Sequence, residues 1–446
     1  MIFYILVLVD VIFLLTHTLD KSRNFNIILS ICTALFMNSA DPFIGLPLEF
    51  VFMFLALIFG LIYNCRNGIC IEKKYYFLIL LLIIVLLVPI AEISLGINQQ
   101  KMLILKESSS DTLDLESEML YASVDFYVIK HFIFLIAFLI FLMINKNVFH
   151  DKNFICILIK SIKVVGVIFF IGVFVEWLFV NITGIYDRNI MIFIFNIKYS
   201  RQLVLWQTWG SYAVPFSLSE RSKIATGVLA FLIILFREKI NKKTILELLL
   251  VLLAVYCSGS SSALFISVIF SSLILMKVVY FSNNSILKIS AILVLCIGAI
   301  LLIIYNETFF EKIVNYVDEN ETSGSAFYRA QANDAATKVL QYHFLFGTGI
   351  GTLYCHSLIL QTVGNIGILG FGLVLYFTFS IVGYKPSKID LLYWIILAVF
   401  FYNYSTVQDF TSVKLLNVVL LMSPSSYMQT TQLKMVIFKK NMVRKM

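Results

Sequence analysis

Long apolar runs, separated by short polar stretches, dominate the pattern of this chain. A helix that crosses a bilayer needs roughly 20 mainly apolar residues, because the hydrocarbon layer is about 30 Å thick. The pattern predicts thirteen such segments: residues 2–16, 26–36, 48–63, 75–91, 127–144, 164–182, 224–236, 244–257, 262–279, 289–305, 356–382, 391–404 and 413–422. We therefore expect an all-α integral membrane protein, a single polytopic domain over residues 1–446, with about 12–14 transmembrane helices.

Composition supports the same class. Of the 446 residues, 60% are hydrophobic and 13% are charged, whereas a soluble domain has about 45–50% apolar and about 25% charged residues. The formal net charge of +8 would suggest a nucleic-acid partner in a soluble protein. In a membrane protein it reflects Lys and Arg in cytoplasmic loops, so we expect membrane lipid and no nucleic acid as a partner.

The positions of Lys and Arg predict an orientation. Basic residues cluster in every second connection, at 21–23, 66–74, 146–152, 237–243 and 385–388, and again in the tail at 439–445. Short basic connections stay in the cytoplasm, which places the tail inside and, with thirteen spans, the N-terminus outside. The alternate segments 92–125, 183–223 and 306–355 then lie outside. Long connections are uncommon unless functional, so we expect the chemistry in segments 183–223 and 306–355.

Two motifs in these outer segments carry candidate chemistry. In the later one, Arg329 is followed by Gly-Thr-Gly-Ile-Gly at 347–351, and then by His356 and Ser357. Nine residues separate Ser357 from Gly367, and two more separate Gly367 from Gly370. In the earlier segment, Arg201 precedes Gly-Ser-Tyr-Ala-Val-Pro at 210–215.

Together these elements resemble the bacterial O-antigen polymerase and O-antigen ligase superfamily. His-[Asn/Ser/Gln]-x9-Gly-x2-[Gly/Thr/Tyr] resembles the signature of its ligases, and Wzy-type polymerases carry versions of it. The earlier element is similar to the Arg…Gly-[Thr/Ser]-[Phe/Tyr]-x-x-Pro element of the same superfamily. The resemblance covers roughly residues 198–379. One departure is that relatives often carry Arg in the short outer turn that here reads Ser-Gly-Ser-Ser-Ser at 258–262.

The resemblance implies a metal-independent glycosyltransferase without a cofactor. Its donor would be an oligosaccharide on undecaprenyl diphosphate, used at the periplasmic face of the bacterial inner membrane. A neutral His can accept the proton of the attacking hydroxyl, and Arg pairs with phosphate oxygens. His356 is then the expected base, Arg201 and Arg329 are the diphosphate ligands, and Arg221 is a further candidate. The cation of the missing turn Arg could be supplied by Arg221 or Lys223. A separate chain-length regulator is a candidate protein partner.

Simpler interpretations of the same residues stay open. His356 could be a polar residue at a membrane interface, with His343 as the alternative base, and the three Arg residues could be headgroup anchors. The glycine-rich run at 347–351 could be a phosphate-binding nest or a flexible turn. Gly364, Gly367 and Gly370 lie three residues apart, a spacing typical of close helix packing.

Three functions compete at this point. A polymerase would join lipid-linked repeat units, and a ligase would transfer finished glycan to lipid A core. The divergent outer segments and the missing turn Arg favour the polymerase. A transporter or flippase of lipid-linked sugar is the alternative from another class. Transporters commonly contain repeats, broken helices and midplane charges, and the sequence displays neither repeats nor paired midplane charges.

Overall fold

A computed structural model describes the N-terminal half of the chain and parts of the C-terminal half. The described residues are 2–37, 48–96, 101–103, 119–121, 126–183, 207–208, 211–212, 224–238, 241–281, a few residues between 285 and 293, and 325–382 except 351, 354 and 356. The predicted spans 391–404 and 413–422, and most of 289–305, lie outside these residues.

Helices make up most of the described structure. They are α1 (Ile2–Thr16), α2 (Leu19–Phe36), α3 (Leu48–Arg66), α4 (Lys73–Ser94), α5 (Phe126–Ile144), α6 (Lys146–His150), α7 (Lys152–Thr183), α8 (Ile224–Arg237), α9 (Lys242–Ser258), α10 (Ser261–Phe281), α11 (Ser325–His343) and α12 (Leu358–Val382). Two antiparallel hairpins join them: β1 (Lys101–Leu103) with β2 (Met119–Tyr121), and β3 (Gln207–Thr208) with β4 (Ser211–Tyr212). The sequence did not predict these hairpins.

Four of the described helices are long and apolar enough to cross a membrane: Leu48–Arg66, Lys73–Ser94, Lys152–Thr183 and Ile359–Ile381. Three shorter apolar helices accompany them, Val128–Ile144, Ile224–Phe236 and Ile266–Tyr280. On α7 an exposed apolar stripe runs through Val164, Ile168, Val175 and Phe179. A stripe of that kind is a liability in water and is the surface that a lipid-embedded helix presents. These features indicate a membrane protein with a helical bundle.

One aromatic cluster ties the centre of the bundle together. The Phe36 ring of α2 lies 5.4 Å from the Phe169 ring and 6.1 Å from the Phe170 ring of α7. Phe170 in turn meets Phe231 of α8 edge-on at 5.2 Å. Aromatic pairs at such separations are stabilised beyond their buried area. The cluster therefore fixes α2, α7 and α8 against one another.

The basic connections gather at one end of the bundle. The Arg23 guanidinium at the start of α2 lies 4.2 Å from the Tyr63 ring centroid near the end of α3. Lys146, after α5, pairs with Glu72, before α4. Hydrogen bonds from Lys146 and Lys74 lower the pKa of the Glu72 carboxyl to about 2.

The end of α12 joins the same end of the bundle. His150 Nε2 of α6 donates to the Ile381 carbonyl over 2.7 Å, and the Tyr75 hydroxyl donates to the Ser380 carbonyl over 3.3 Å. The start of α4 and the end of α6 thus meet the end of α12. The alternation of basic connections in the sequence therefore corresponds to one basic end in the structure.

At the other end of the bundle, the ends of α4, α7 and α9 contact neighbouring described residues. Trp177, near the end of α7, lies 6.2 Å from the Tyr256 ring at the end of α9. Gly349 packs beside Ile93 at the end of α4. Strand β1 contacts α11, and β4 contacts α7. The turn between α9 and α10 is closed by Gly259 with φ 58°, a conformation that favours glycine.

Helix α7 begins twelve residues before the predicted span at 164–182. Its first three turns are amphipathic, with Phe154, Leu158 and Ile162 buried and Lys160 exposed. The prediction that this helix begins at residue 164 was therefore wrong. Enough apolar residues recur at helical spacing to bind these turns to the core, although their lysines lower the local hydropathy.

A buried ion cluster lies where the amphipathic turns of α7 end. Lys163 Nζ is 2.6 Å from Glu238 Oε2 and 2.9 Å from Glu247 Oε2, and the Glu247 side chain is 7% exposed. Lys277 Nζ of α10 also donates to the Glu238 carbonyl over 2.9 Å. Because α7, α8, α9 and α10 all contribute, the cluster holds the basic ends of four helices together.

Replacing Lys163 with methionine should destabilise the protein by about 3 kcal/mol, because the buried Glu247 and the half-buried Glu238 would lose their shared cation. Thermal unfolding of the detergent-purified protein measures the effect. Lys160→Met is the matched control, one turn earlier on the exposed side of α7, and should unfold like wild type. Adding Glu247→Gln to Lys163→Met should restore part of the loss. Equal unfolding temperatures for both single variants would contradict this role.

Candidate functional site

Helix α12 is broken at Gly367. This glycine has φ 66° and ψ 171° inside an otherwise helical segment, in a region of conformational space that is essentially restricted to glycine. The break separates residues 358–366 from residues 368–382. Gly367 is the first of the two motif glycines, so the prediction that the three glycines simply pack one helix face is wrong at this position.

A segment from before α12 takes up the carbonyls that the break releases. In an unbroken helix, the carbonyls of Gly364 and Asn365 would accept from the amides four residues later. Here Thr348 N donates to the Gly364 carbonyl over 2.7 Å, and Gly349 N donates to the Asn365 carbonyl over 3.1 Å. Both acceptors therefore stay paired, as buried backbone groups must.

The amides after the break are paired by the same segment. Ile368 N donates to the Phe344 carbonyl over 2.9 Å, and Leu369 N donates to the Leu345 carbonyl over 3.3 Å. Residues 344–349 thus exchange hydrogen bonds with both sides of the break. We call residues 344–349 the inserted segment, since they occupy the gap in the helix.

The insertion depends on close backbone approach. A Cβ atom built on Gly367 would lie 2.1 Å from the Leu345 carbonyl oxygen, and one built on Gly347 would lie 2.5 Å from the Gly367 amide nitrogen. Gly347 itself has φ 75°. Within the glycine-rich run, Gly347 therefore lies in a turn whose backbone conformation and close approach both favour glycine.

Two threonines close the turn after the inserted segment. Thr348 Oγ1 and Thr352 Oγ1 lie 2.7 Å apart, and Thr352 Oγ1 donates to the Gly349 carbonyl over 2.6 Å. Both side chains are buried. Gly349 N is used by the Asn365 carbonyl, so a phosphate could not also take this amide, as a nest would require.

Asn365 connects the first half of α12 to the chain that follows the inserted segment. Its Oδ1 accepts from Leu353 N over 2.9 Å, and its Nδ2 donates to the Leu353 carbonyl over 2.9 Å. The same Nδ2 donates to the Gln361 carbonyl over 2.8 Å. Asn365 is fully buried, and its amide is satisfied on both atoms.

The predicted base, His356, lies outside the described residues, but both of its neighbours are described. Ser357 begins α12: its Oγ accepts from Leu360 N over 3.3 Å, which is the geometry of an N-cap. Cys355 Sγ donates to the Ser357 carbonyl over 3.3 Å. Both residues are buried, so position 356 is flanked by fixed and buried residues.

Cys355 is poorly suited to act as a nucleophile. Burial raises the pKa of its thiol to about 12, and the thiolate is the reactive form. His343, the alternative base, ends α11, and its Nε2 is buried without a hydrogen-bond partner among the described residues. A packed ring nitrogen of this kind is less accessible to a substrate than a residue at a segment boundary.

The predicted arginines are only partly placed. Arg201 and Arg221 lie outside the described residues, and for Arg329 the described structure gives the backbone in α11. Ala336 and Val339 of α11 pack against Leu353 and Cys355. Position 329 precedes Ala336 by two turns on the same side of the helix, about 10 Å along its axis. Helix α11 therefore lies against the chain that leads to His356.

The earlier motif contains a β-hairpin. Ser211 and Tyr212 form β4 and pair with Thr208 and Gln207 of β3. Strand β4 contacts α7, so this part of the motif lies beside that helix. The signal that sequence reasoning missed is the two-residue connection Trp-Gly at 209–210, which is short enough for a tight hairpin.

Comparisons with known proteins do not identify a family for this chain. Protein-family models, curated proteins and solved structures give no match to this chain. Among the residues that the structure describes, no group of three or more His, Cys, Asp or Glu side chains is arranged to hold a metal ion. The class that fold and site together define is a helical membrane protein with a broken helix beside its candidate motif.

Proposed function

We propose that this protein polymerises undecaprenyl-diphosphate-linked oligosaccharide repeat units into O-antigen or a related surface polysaccharide. The observation that carries the proposal is the coincidence of motif and structure at Gly367. The second half of the His-Ser-x9-Gly-x2-Gly motif lies on a broken helix, and its first half lies where the chain enters that helix. The spacing of the motif thus corresponds to a structural feature, the helix break at Gly367. A chance match to the motif would not predict this correspondence.

The proposed reaction is a displacement at the anomeric carbon. The acceptor hydroxyl oxygen forms a bond to this carbon while the bond from the carbon to the lipid diphosphate breaks. His356 takes the hydroxyl proton, and the departing diphosphate carries away the electron pair. Arg201, Arg329 and Arg221 would stabilise the growing negative charge with paired hydrogen bonds. These protein cations supply the charge that a metal ion would otherwise supply.

The finer architecture belongs to the same proposal. It comprises about 12–14 spans in a bacterial inner membrane, with the basic end in the cytoplasm. The outer segments 183–223 and 306–355 then form the periplasmic face where the lipid-linked donor enters from the bilayer. The positive-inside rule supports this orientation, because the basic connections share one end of the bundle.

An O-antigen ligase is the nearest alternative, since it would use the same donor and the same base. The two activities differ in the acceptor, which is a growing lipid-linked glycan for the polymerase and lipid A core for the ligase. The absence of Arg between residues 258 and 262 favours the polymerase by family resemblance.

A transporter of lipid-linked sugar gains one observation, because broken helices are common in transporters. In such proteins, however, the released backbone groups face the substrate, whereas residues 344–349 pair the groups released at Gly367. The cluster around Lys163 pairs its charges where α8 ends and α9 begins and not at a midplane site. Both features favour an enzyme with a rigid site.

Deletion of the gene in its host tests the proposal. With a polymerase, the stained surface polysaccharide should collapse from a ladder to core plus one repeat unit, and plasmid-borne wild type should restore the ladder. His17→Ala, which changes an exposed histidine in the turn between α1 and α2, should restore it equally. Loss of every repeat from the core, with long glycan kept on the lipid carrier, would mean a ligase. An unchanged ladder would reject both activities.

A further inference from the structure

Asn365 makes an unusual set of bonds for a residue inside an apolar helix. It pairs with both polar backbone groups of Leu353, as a neighbouring β-strand would, and with the Gln361 carbonyl. Burial of an amide is unfavourable unless its hydrogen bonds are made. A leucine has the same number and branching of side-chain heavy atoms and needs no hydrogen-bond partners, so the polar side chain needs another explanation.

The hydrogen bonds of the Asn365 side chain reach residues on both sides of position 356. Leu353 precedes that position by three residues. On the other side, Gln361 N donates to the Ser357 carbonyl over 2.8 Å, and Ser357 caps the helix start. Asn365 therefore joins Leu353, before position 356, to the helix turn at Ser357 and Gln361, after it.

From this geometry we propose that Asn365 is a positioning residue for His356. By fixing Leu353 before the histidine and the helix turn at Ser357 after it, Asn365 would limit the positions open to the imidazole. The inference rests on the proposed function. Misplacement of a catalytic group by about 1 Å can cost on the order of 100-fold in rate, which is why a polar anchor is useful at this point.

Thr378 provides a matched control on the same helix. It is also fully buried and polar, but its hydroxyl donates only within its own helix, to the Val374 carbonyl over 2.8 Å. Thr378→Val thus removes a buried hydrogen bond of α12 without touching the chain near position 356. Asn365→Leu removes the anchor while keeping the number and branching of the side-chain heavy atoms.

The first test does not depend on activity. In a chain with Cys355 as its single cysteine, Cys355 is buried at 1% exposure and should resist a membrane-impermeant maleimide added outside. Asn365→Leu should speed labelling about 10-fold or more, because the chain is released and local opening controls access. Thr378→Val should stay protected. Protection that is unchanged in Asn365→Leu would overturn the inference.

The second test is a double-mutant cycle in proteoliposomes, with lipid-linked oligosaccharide extracted from the deletion strain as the substrate. Asn365→Leu should lower kcat about 10- to 100-fold with KM little changed. It should lower the rate no further in the His356→Ala background, since residues that act as a unit are not additive. Independent, multiplying effects would overturn the inference. If Asn365→Leu does not yield folded protein, Asn365→Ser takes its place in both tests.

The outcomes separate this inference from the proposed function. A His356→Ala protein that elongates at the wild-type rate removes the proposed base, whatever the maleimide result. A slow His356→Ala protein combined with a fast and protected Asn365→Leu protein rejects only the positioning role.

Discussion

Replacing Gly367 with alanine should destabilise the protein by roughly 3 kcal/mol or more. Two costs add at this position. The backbone at φ 66° and ψ 171° disfavours every residue with a Cβ atom. The new methyl group would also lie 2.1 Å from the Leu345 carbonyl oxygen and 2.5 Å from the Phe346 carbonyl carbon. Both neighbours are backbone atoms, so no side-chain rotation relieves the clash.

Gly372→Ala is the control for this prediction. Gly372 lies on the same helix, five residues later, and has no atom within 4 Å of an added Cβ. Its substitution should leave stability within about 1 kcal/mol of wild type, with a gain favoured because alanine is the better helix former. Thermal unfolding in detergent compares the three proteins. If Gly367→Ala unfolds together with Gly372→Ala, residues 344–349 do not enter the helix as described.

Loss of the His356 imidazole should slow glycan elongation about 100- to 10,000-fold, the range that a positioned general base contributes. The acceptor hydroxyl is a poor nucleophile until its proton leaves, and neither neighbour of His356 replaces the base. Cys355 is buried with a raised thiol pKa, and the Ser357 hydroxyl caps α12. In the proposed reaction the arginines, and not His356, bind the lipid diphosphate, so KM should change little.

His343→Ala serves as the comparison for that variant. It removes the alternative base, whose Nε2 is already buried at the end of α11. Elongation should stay within about 10-fold of wild type if His356 is the base, since only packing is lost. A large fall with His343→Ala and a small one with His356→Ala would reverse the assignment.

The sequence was a good guide to the helices of the bundle. Predicted segments at 224–236 and 244–257 correspond to Ile224–Arg237 and Lys242–Ser258, because an uninterrupted apolar run in lipid can only be satisfied as a helix. The early start of α7 was missed because charged residues interrupt its apolar run. Lys160 and Lys163 lower its hydropathy, although its buried face continues at helical spacing.

The sequence allowed the residues of the candidate site to be predicted, but not the helix break or the contacts between them. Gly367 lies in a continuous apolar run, where glycines three apart usually signal helix packing. That the helix breaks there depends on residues 344–349, about twenty positions earlier, whose fit no local pattern encodes. Asn365 could have been noticed as a polar residue in an apolar helix, which is a functional signal in membranes. The partner of Asn365, Leu353, is set by the fold.

Elongation by the purified protein tests the central claim most directly. Wild type and His356→Ala are reconstituted into liposomes with lipid-linked oligosaccharide from the deletion strain, and product length is read on a gel over time. Our account predicts that wild type builds chains of many repeat units, while His356→Ala leaves nearly all substrate at one unit. Labelled substrate that moves between leaflets without growing longer would contradict the account and favour a transporter.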